Sequence, residues 1–270
     1  MQTLIILGGM RSFSLLVFCA VIIVTTAFAQ AGGDEAIWKD FLMWLEAQPP
    51  NSRPMDLISP YSKEMVRRGV PAGEADRRMN LVSGLVFRRP DGVKLLWNKV
   101  YAGKDPIFIQ GPTALLVSAI DGRPKGKALD VGMGQGRNSI FLAMAGWDVT
   151  GFDPADEGIR IANESARKAE VKIHTVVARD DEFQYGSEQW DLIVVTYVRL
   201  LNETDAERFW KALKPGGVLV YENAAFEGNR LLRAFLKYHI VRFEDVEAIP
   251  DWNPGQKMRI ERLIAEKVVH

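Results

Sequence analysis

Lys127-Ala-Leu-Asp-Val-Gly-Met-Gly-Gln-Gly-Arg-Asn-Ser-Ile-Phe-Leu-Ala143 is the stretch whose reading decides the fold. The apolar residues Ala128, Leu129 and Val131 lead into glycines at 132, 134 and 136. Ile140, Phe141, Leu142 and Met144 then recur at helix spacing rather than in strand alternation. The segment therefore reads strand, glycine turn, helix. Glycine at alternate positions permits positive φ and lets a ligand come close to the main chain. The helix that follows turns N–H groups toward the turn, and Asn138 is a favoured residue type for its N-cap. Asp130, near the strand's end, can accept a hydrogen bond from a cationic ligand or orient the loop. Taken by itself, the stretch also fits a tight connection that binds nothing.

A second apolar strand, Asp148-Val-Thr-Gly-Phe-Asp153, ends in an acid. Its distance from Gly136 is close to the ~20-residue offset at which an acid meets ribose hydroxyls in nucleotide-binding βαβ units. The glycine spacing departs from the dinucleotide pattern Gly-x-Gly-x-x-Gly. Asp130-x-Gly132-x-Gly134-x-Gly136 instead resembles the first motif of class I S-adenosylmethionine-dependent methyltransferases. Gln189-Trp-Asp-Leu-Ile-Val-Val195 is similar to that family's fourth strand, and Lys214-Pro-Gly-Gly-Val-Leu-Val-Tyr-Glu222 to its turn into the fifth. The three motifs occur in the family's order across residues 110–225.

The resemblance implies S-adenosyl-L-methionine as cofactor. It assigns Gly132, Met133, Gly134 and Gly136 to the cofactor loop, with Asp130 and Asn138 beside them. Asp153 is to accept from both ribose hydroxyls, with Pro154 following it. Asp153 is expected on an open rim, where it adds little to stability. Relatives carry an acid near Arg179-Asp-Asp-Glu-Phe183 that accepts from the adenine amino group. Arg179 takes the position where that acid often stands, so Asp180 or Asp181 is to serve, Asp180 first; the alternative is a solvated acidic loop. Trp97-Asn-Lys-Val-Tyr-Ala-Gly103 resembles a segment that helps close the cofactor pocket in this family. Tyr101 is thus a candidate contact, or else a packed aromatic. In detail, Gly136-Arg-Asn-Ser139 resembles members acting on soft or oxyanionic acceptors such as tellurite.

Composition limits the alternatives. Apolar residues make up 47% and charged residues 25% of the 270-residue chain, as in ordinary globular proteins. Basic and acidic residues balance at 34 each, which argues against a nucleic-acid partner. The methyl acceptor is therefore expected to be a small molecule, or failing that a protein. His174 in a strand and His239 at a helix end lack metal-ligand spacing, so no metal is expected.

The N-terminus reads as a leader. Met10-Arg11, the apolar run from Ser12 to Thr26, and Ala27-Phe-Ala29 before Gln30 make a secretory signal peptide over residues 1–29. Translation from Met10 would make the pattern tidier. The rival is an uncleaved anchor, since the run approaches the ~17 residues that span a bilayer; Arg11 before it and Asp34 and Glu35 after it would still leave the body outside. Membrane contact is then confined to this segment. The single cysteine, Cys19, lies inside the run, so the mature chain has no thiol chemistry. Export sits at odds with a cofactor made in the cytoplasm, which keeps an exported, catalytically idle binding module as an alternative. A nucleotide-dependent oxidoreductase is the other, disfavoured by the glycine spacing.

Residues 30–110 read as a helical N-terminal extension. Ile37, Trp38, Phe41, Leu42, Trp44 and Leu45 recur at helix spacing with Asp34 as cap. Pro49–Pro54 breaks the pattern, and Tyr61–Gly69 and Glu74–Phe87 are further helices. Arg67, Arg68, Arg77, Arg78, Arg88 and Arg89 form a solvated face or meet an anionic partner.

Residues 111–270 are expected to form the methyltransferase domain. Gly111–Ile120, Pro154–Ala169 and Glu203–Leu213 read as helices, Lys172–Ala178 as a strand, and Tyr238–Ile249 and Met258–Val268 as an antiparallel hairpin. The implied fold is α/β: a doubly wound, Rossmann-like, mostly parallel sheet of about seven strands with a C-terminal antiparallel hairpin. Thr196, at the fourth strand's carboxyl end, joins the cofactor set there. Tyr197 and Glu222 at the same rim are candidate catalytic groups: Tyr197 faces the acceptor or else covers the core, and Glu222 deprotonates or orients the acceptor. Asp191 is expected to fix the strand start.

Overall fold

The computed structural model describes residues 33–50, 52, 54–103, 108–225, 229–250 and 255–268. The expected leader, residues 1–29 with Cys19, lies outside the described residues. The described residues divide into two compact units, one within 33–48 and 55–89, the other within 49–54 and from Pro90 onward. This division falls ahead of the expected boundary at 110/111.

The first unit is helical. α1 (33–47) is already under way at residue 33, so Asp34 lies within it rather than capping it. α2 (Pro54–Arg67) starts ahead of the expected Tyr61 and runs through Pro60. A proline inside a helix loses one intrahelical hydrogen bond. Here Leu57, Tyr61 and Met65, four residues apart and all buried, hold one face in the core and outweigh that loss. α3 (Ala72–Arg88) completes the unit. Phe41 and Tyr61 meet edge to face at 5.2 Å, and Tyr61 donates to Asp40 at 2.8 Å.

The arginines pair within this unit: Arg67 and Arg68 with Glu64, Arg77 and Arg78 with Glu74, and Arg89 with Glu35. Hydrogen bonds from these guanidinium groups hold the Glu64 and Glu74 carboxyls down at about 2. An open depression of about 640 Å³ is lined by Asp40, Trp44, Pro60, Glu64 and Arg68, among others. Its charged groups pair with one another.

The second unit carries α4 (Gly92–Tyr101), α5 (Ala114–Ile120) and a seven-stranded sheet. In chain order follow β1 (Lys127–Val131), α6 (Arg137–Met144), β2 (Asp148–Asp153), α7 (Asp156–Lys168), β3 (His174–Val177) and β4 (Trp190–Thr196). Then come α8 (Glu203–Ala212), β5 (Leu213–Ala224), α9 (Arg230–Ala234), β6 (His239–Ala248) and β7 (Met258–Glu266). His239 opens β6 instead of ending a helix, because α9 stops at Ala234.

The strand order is β3-β2-β1-β4-β5-β7-β6. β1 to β5 run parallel, and β7 enters antiparallel between β5 and β6. A parallel sheet buried on both faces needs apolar residues in both phases of each strand. Leu129, Ile193, Val195 and Tyr221 pack with Phe209 and Phe235 on one face. Ala128, Leu192, Val194 and Val220 pack with Leu116 and Leu142 on the other. Asp191 anchors the strand starts, accepting from the Lys127 N–H and the Lys214 ammonium, both at 2.7 Å.

Winding direction reverses between β1 and β4, so the loops after these two neighbouring strands open on one rim. That is where open α/β sheets bind ligands. α4 is tied to the start of α7 through Asn98, which donates to Asp156 at 2.6 Å and accepts from the Glu157 N–H at 3.1 Å.

Candidate functional site

The glycine loop, residues 132–136, leaves β1 at this rim. Its turn closes through the Gly136 N–H to the Met133 carbonyl at 2.8 Å, and the Met133 N–H ties it to Phe152 of β2 at 3.0 Å. The Met133 side chain is buried with Ile159 and Ala162, so it faces the core. Its expected place on the ligand side is thereby reduced to its backbone. Gly136, at φ +82°, is the N-cap of α6; a Cβ there would stand 2.8 Å from the Ala162 Cβ. Since Gly136 already ends the loop, Asn138 lies one residue inside the helix instead of at its expected cap. The amide of Asn138 donates to Thr196 Oγ1 at 3.0 Å and accepts from the Thr113 N–H at 3.1 Å, bridging α5, α6 and β4. Thr113 is fully buried and its hydroxyl has no hydrogen-bond partner.

Two buried acids flank the loop. Asp130 accepts from Ser139 Oγ at 2.7 Å, and burial pushes its carboxyl up to about 6. Asp153 accepts the Gly134 N–H at 3.0 Å on one oxygen and the Ala155 N–H at 2.8 Å on the other. Burial pushes Asp153 up to about 6 as well, against the opposing pull of those two hydrogen bonds. Only 6% of Asp153 is exposed, so the expectation of an open-rim acid with little structural role does not hold. A carboxylate has about four acceptor positions. Two backbone donors therefore leave Asp153 able to accept from a diol. Pro154 follows in the turn to α7 and is half-buried.

Tyr101, at the end of α4, closes over the loop. Its hydroxyl lies 2.7 Å from where a Cβ on Gly134 would stand, and its ring edge 3.0 Å from the same point on Gly158. Gly134 is at φ +51°. Its missing side chain is thus needed twice, for the turn and for Tyr101. The ring stacks on Trp97 at 5.5 Å and meets Phe108 edge to face at 6.2 Å. Burial, and then the negative charge of Asp153, raise the Tyr101 hydroxyl well above its ordinary value. Tyr101 is a packed aromatic and also stands beside the loop.

The acids expected to meet adenine are engaged elsewhere. Asp180 accepts from Arg199 Nε at 3.0 Å, from Arg208 at 3.1 Å and from the Tyr185 hydroxyl. Arg199 also grips the buried Asp205 with two hydrogen bonds, at 2.6 and 2.7 Å. Asp205 in turn caps α8 together with Asn202. Asp181 pairs with Arg179 at 3.0 Å on the surface, which lowers its carboxyl. Two cations draw Asp180 toward α8, while Asp181 stays exposed in its pair with Arg179.

At the rim of β4, Thr196 accepts from Asn138 as described, and Tyr197 takes a left-handed backbone, φ +57°. The Tyr197 hydroxyl donates to Glu222 Oε1, and its N–H donates to the Glu222 carbonyl at 2.8 Å. Arg262 of β7 donates to the other Glu222 oxygen at 2.7 Å. Glu222 is buried, so it is an ion-paired, hydrogen-bonded carboxylate and not the independent base expected. Val198 and Arg262 escaped the sequence reading. Val198 covers Gly132, its Cγ2 standing 2.5 Å from where a Cβ there would lie. The only sequence signal for Arg262 is the charged pair Glu261-Arg262 set between Ile260 and Leu263.

Among the described residues no cluster of His, Cys, Asp and Glu could hold a metal ion. Residues 128–217 match the family model for a methyltransferase domain. The probable S-adenosyl-L-methionine-dependent methyltransferase TehB of Haemophilus influenzae is 40% identical over 72 residues, 27% of this chain and 25% of that protein. The ubiquinone biosynthesis O-methyltransferase of Hydrogenovibrio crunogenus is 32% identical over 114 residues, 40% of this chain and 45% of its own. This chain spans between 25% and 53% of the length of these curated relatives. A solved structure from a study of the "Conversion of a Disulfide Bond into a Thioacetal Group during Echinomycin Biosynthesis" shares the fold, with a TM-score of 0.56 at 16% identity. It covers 66% of this chain and 91% of its own. With the three ordered motifs and the strand order, the matched region, residues 128–217, is a methyltransferase domain of the class I S-adenosylmethionine-dependent type.

Proposed function

We propose that this chain transfers a methyl group from S-adenosyl-L-methionine to a small-molecule acceptor. The observation that carries the reading is Asp153, a buried carboxylate held by the Gly134 and Ala155 amides beside a loop whose three glycines have no room for a side chain. The residues fit the cofactor: Asp153 would take the ribose hydroxyls, and the loop backbone would meet the amino-acid end. Asp130, as a carboxylate, would favour a cationic group nearby. When bound, S-adenosylmethionine supplies a methyl on a positively charged sulfur.

The chain's own contribution is to hold the reactants in line and to exclude water. Alignment alone can lower such a barrier by roughly 7–11 kcal/mol. Tyr101 and Val198 screen the loop from solvent. The relatives named above bear on the acceptor: one is an O-methyltransferase by name, which supports a small hydroxyl compound here. Neither the oxidoreductase nor the idle-module reading draws support from them. Calorimetric titration of residues 30–270 with S-adenosylhomocysteine tests the proposal. Binding at micromolar levels is expected, and absence of heat at millimolar ligand overturns it.

We also infer export, on the strength of the basic start, apolar run and Ala27-Phe-Ala29 ending.

A further inference from the structure

Tyr197 carries a backbone conformation that L-residues with side chains rarely adopt, at φ +57°. Strained residues cluster where a site needs a side chain aimed against the local grain. Continuing strand alternation would send Tyr197 to the face opposite Thr196. Glu222, the register partner of Thr196, shares the face of Thr196, and the Tyr197 hydroxyl reaches it there. The left-handed turn is what makes that meeting possible. Tyr197 also stands between two residues that reach the glycine loop and the helix after it: Thr196, the last of β4, accepts from Asn138 of α6, and Val198 covers Gly132.

The chemistry of the group follows from its partners. Arg262 donates to Glu222 Oε2 at 2.7 Å and to Glu244 at 3.2 Å. The single phenolic proton of Tyr197 is committed to Glu222, so toward any further partner the phenol oxygen can only accept. A group so arranged recognises a nucleophile that still carries its proton.

Resting on the methyltransferase reading, we infer that Tyr197 touches the acceptor, that the acceptor is a neutral hydroxyl, and that Tyr197 and Glu222 form the path its proton takes. In the transfer step a lone pair of the acceptor oxygen forms the bond to the methyl carbon. The carbon–sulfur bond breaks, and its electron pair stays on sulfur. The acceptor's proton passes to Tyr197 Oη while the phenol's own proton passes to Glu222, leaving a methyl ether, S-adenosylhomocysteine and a neutral Glu222 carboxyl. An amine would need no such path, because its methylated ammonium is stable and loses a proton to water. A methylated neutral hydroxyl is an oxonium and must lose its proton as it forms.

The test uses the full chain with catechol as the hydroxyl probe. Dimethyl selenide, whose nucleophilic lone pair carries no proton, is the contrast, and S-adenosylhomocysteine release is followed with both. Expected are turnover of catechol and none of dimethyl selenide. Tyr197→Phe and Glu222→Gln should each lower kcat with catechol at least tenfold, while S-adenosylhomocysteine affinity, measured by calorimetry, stays within twofold. Tyr197→Phe keeps the ring and the backbone, and so serves as the folded variant if Glu222→Gln, which loses the Arg262 ion pair, does not fold. Wild-type protein that binds S-adenosylhomocysteine but leaves catechol unmethylated overturns the inference. So does a Tyr197→Phe variant within twofold of wild type, or methylation of dimethyl selenide instead. Failure of the wild type to bind S-adenosylhomocysteine at all overturns the underlying methyltransferase reading, and is thereby told apart.

Discussion

The Gly134 amide donates to Asp153 Oδ2 at 3.0 Å, joining the glycine loop after β1 to the end of β2. Through this bond the carboxylate shapes the loop. In the proposed function the same carboxylate takes the ribose, so substitutions at Asp153 are expected to read out both binding and stability.

Asp153→Ala removes the acceptor for two buried amides, each of which costs about 1–3 kcal/mol when left unsatisfied. It also removes the expected ribose acceptor. Lowered thermal stability together with S-adenosylhomocysteine binding weakened about ten- to a hundredfold is expected, at ~1.4 kcal/mol per decade. Calorimetry on the folded variant decides: unchanged affinity would remove Asp153 from the ligand.

Acid should weaken binding. Asp153 and Asp130 stand at about 6, mainly through burial, and a ribose donor or a cationic group favours their ionised forms. S-adenosylhomocysteine affinity should fall roughly tenfold or more from pH 7 to pH 5, as expected when ionisation near pH 6 is required. For the free protein the sign is opposite. The folded state retains protons that the unfolded chain releases above about 4, so these two carboxyls favour folding increasingly as pH falls from 6 toward 4. Titrations at several pH values on wild type, Asp130→Asn and Asp153→Asn check both trends, and each variant should flatten its share.

Gly134→Val meets Tyr101 and a positive φ at once. Loss of detectable S-adenosylhomocysteine binding and destabilisation by about 1–3 kcal/mol are expected, since strained backbone alone costs of that order. Tyr101→Phe in the same background should recover some stability, because it removes the clashing hydroxyl and keeps the packed ring, but leaves the strain. Thermal melts of both variants measure the difference.

Asp180→Asn separates a structural acid from an adenine ligand. It weakens the link to Arg199, Arg208 and Tyr185, and a loss of about 2 kcal/mol is expected, between exposed and fully buried ion pairs. S-adenosylhomocysteine affinity should change less than threefold once folding is accounted for. A tenfold loss of affinity at unchanged stability would return Asp180 to the ligand.

Export is checked at the N-terminus. Sequencing of the protein from its native host should begin at Gln30, and soluble cytoplasmic protein beginning at Met1 or Met10 would refute the leader.

The sequence by itself determined the architecture, because what encodes it is local. The apolar run into Gly132, Gly134 and Gly136, the acid-ended strand at Asp153 and the hairpin around residues 250–257 each carry their own periodicity and turn chemistry. Asp191 could be read as a strand anchor for the same reason, and Arg67, Arg68, Arg77 and Arg78 have their glutamates three and four residues away, within reach of local spacing.

Tertiary structure alone decided which polar groups are engaged with one another. Asp180 is drawn off by Arg208, 28 residues on, and Glu222 by Arg262, 40 residues on. No spacing rule connects such pairs, since they become neighbours only when strands and helices pack. Asn138 looked like a cap because capping is a local preference, yet Gly136 took that position and Asn138 was freed to bridge Thr113 and Thr196. Asp153 is the sharpest case. Its place in the chain was legible, but its burial, and with it the raised carboxyl and the double role, comes from the sheet and loop closing around it.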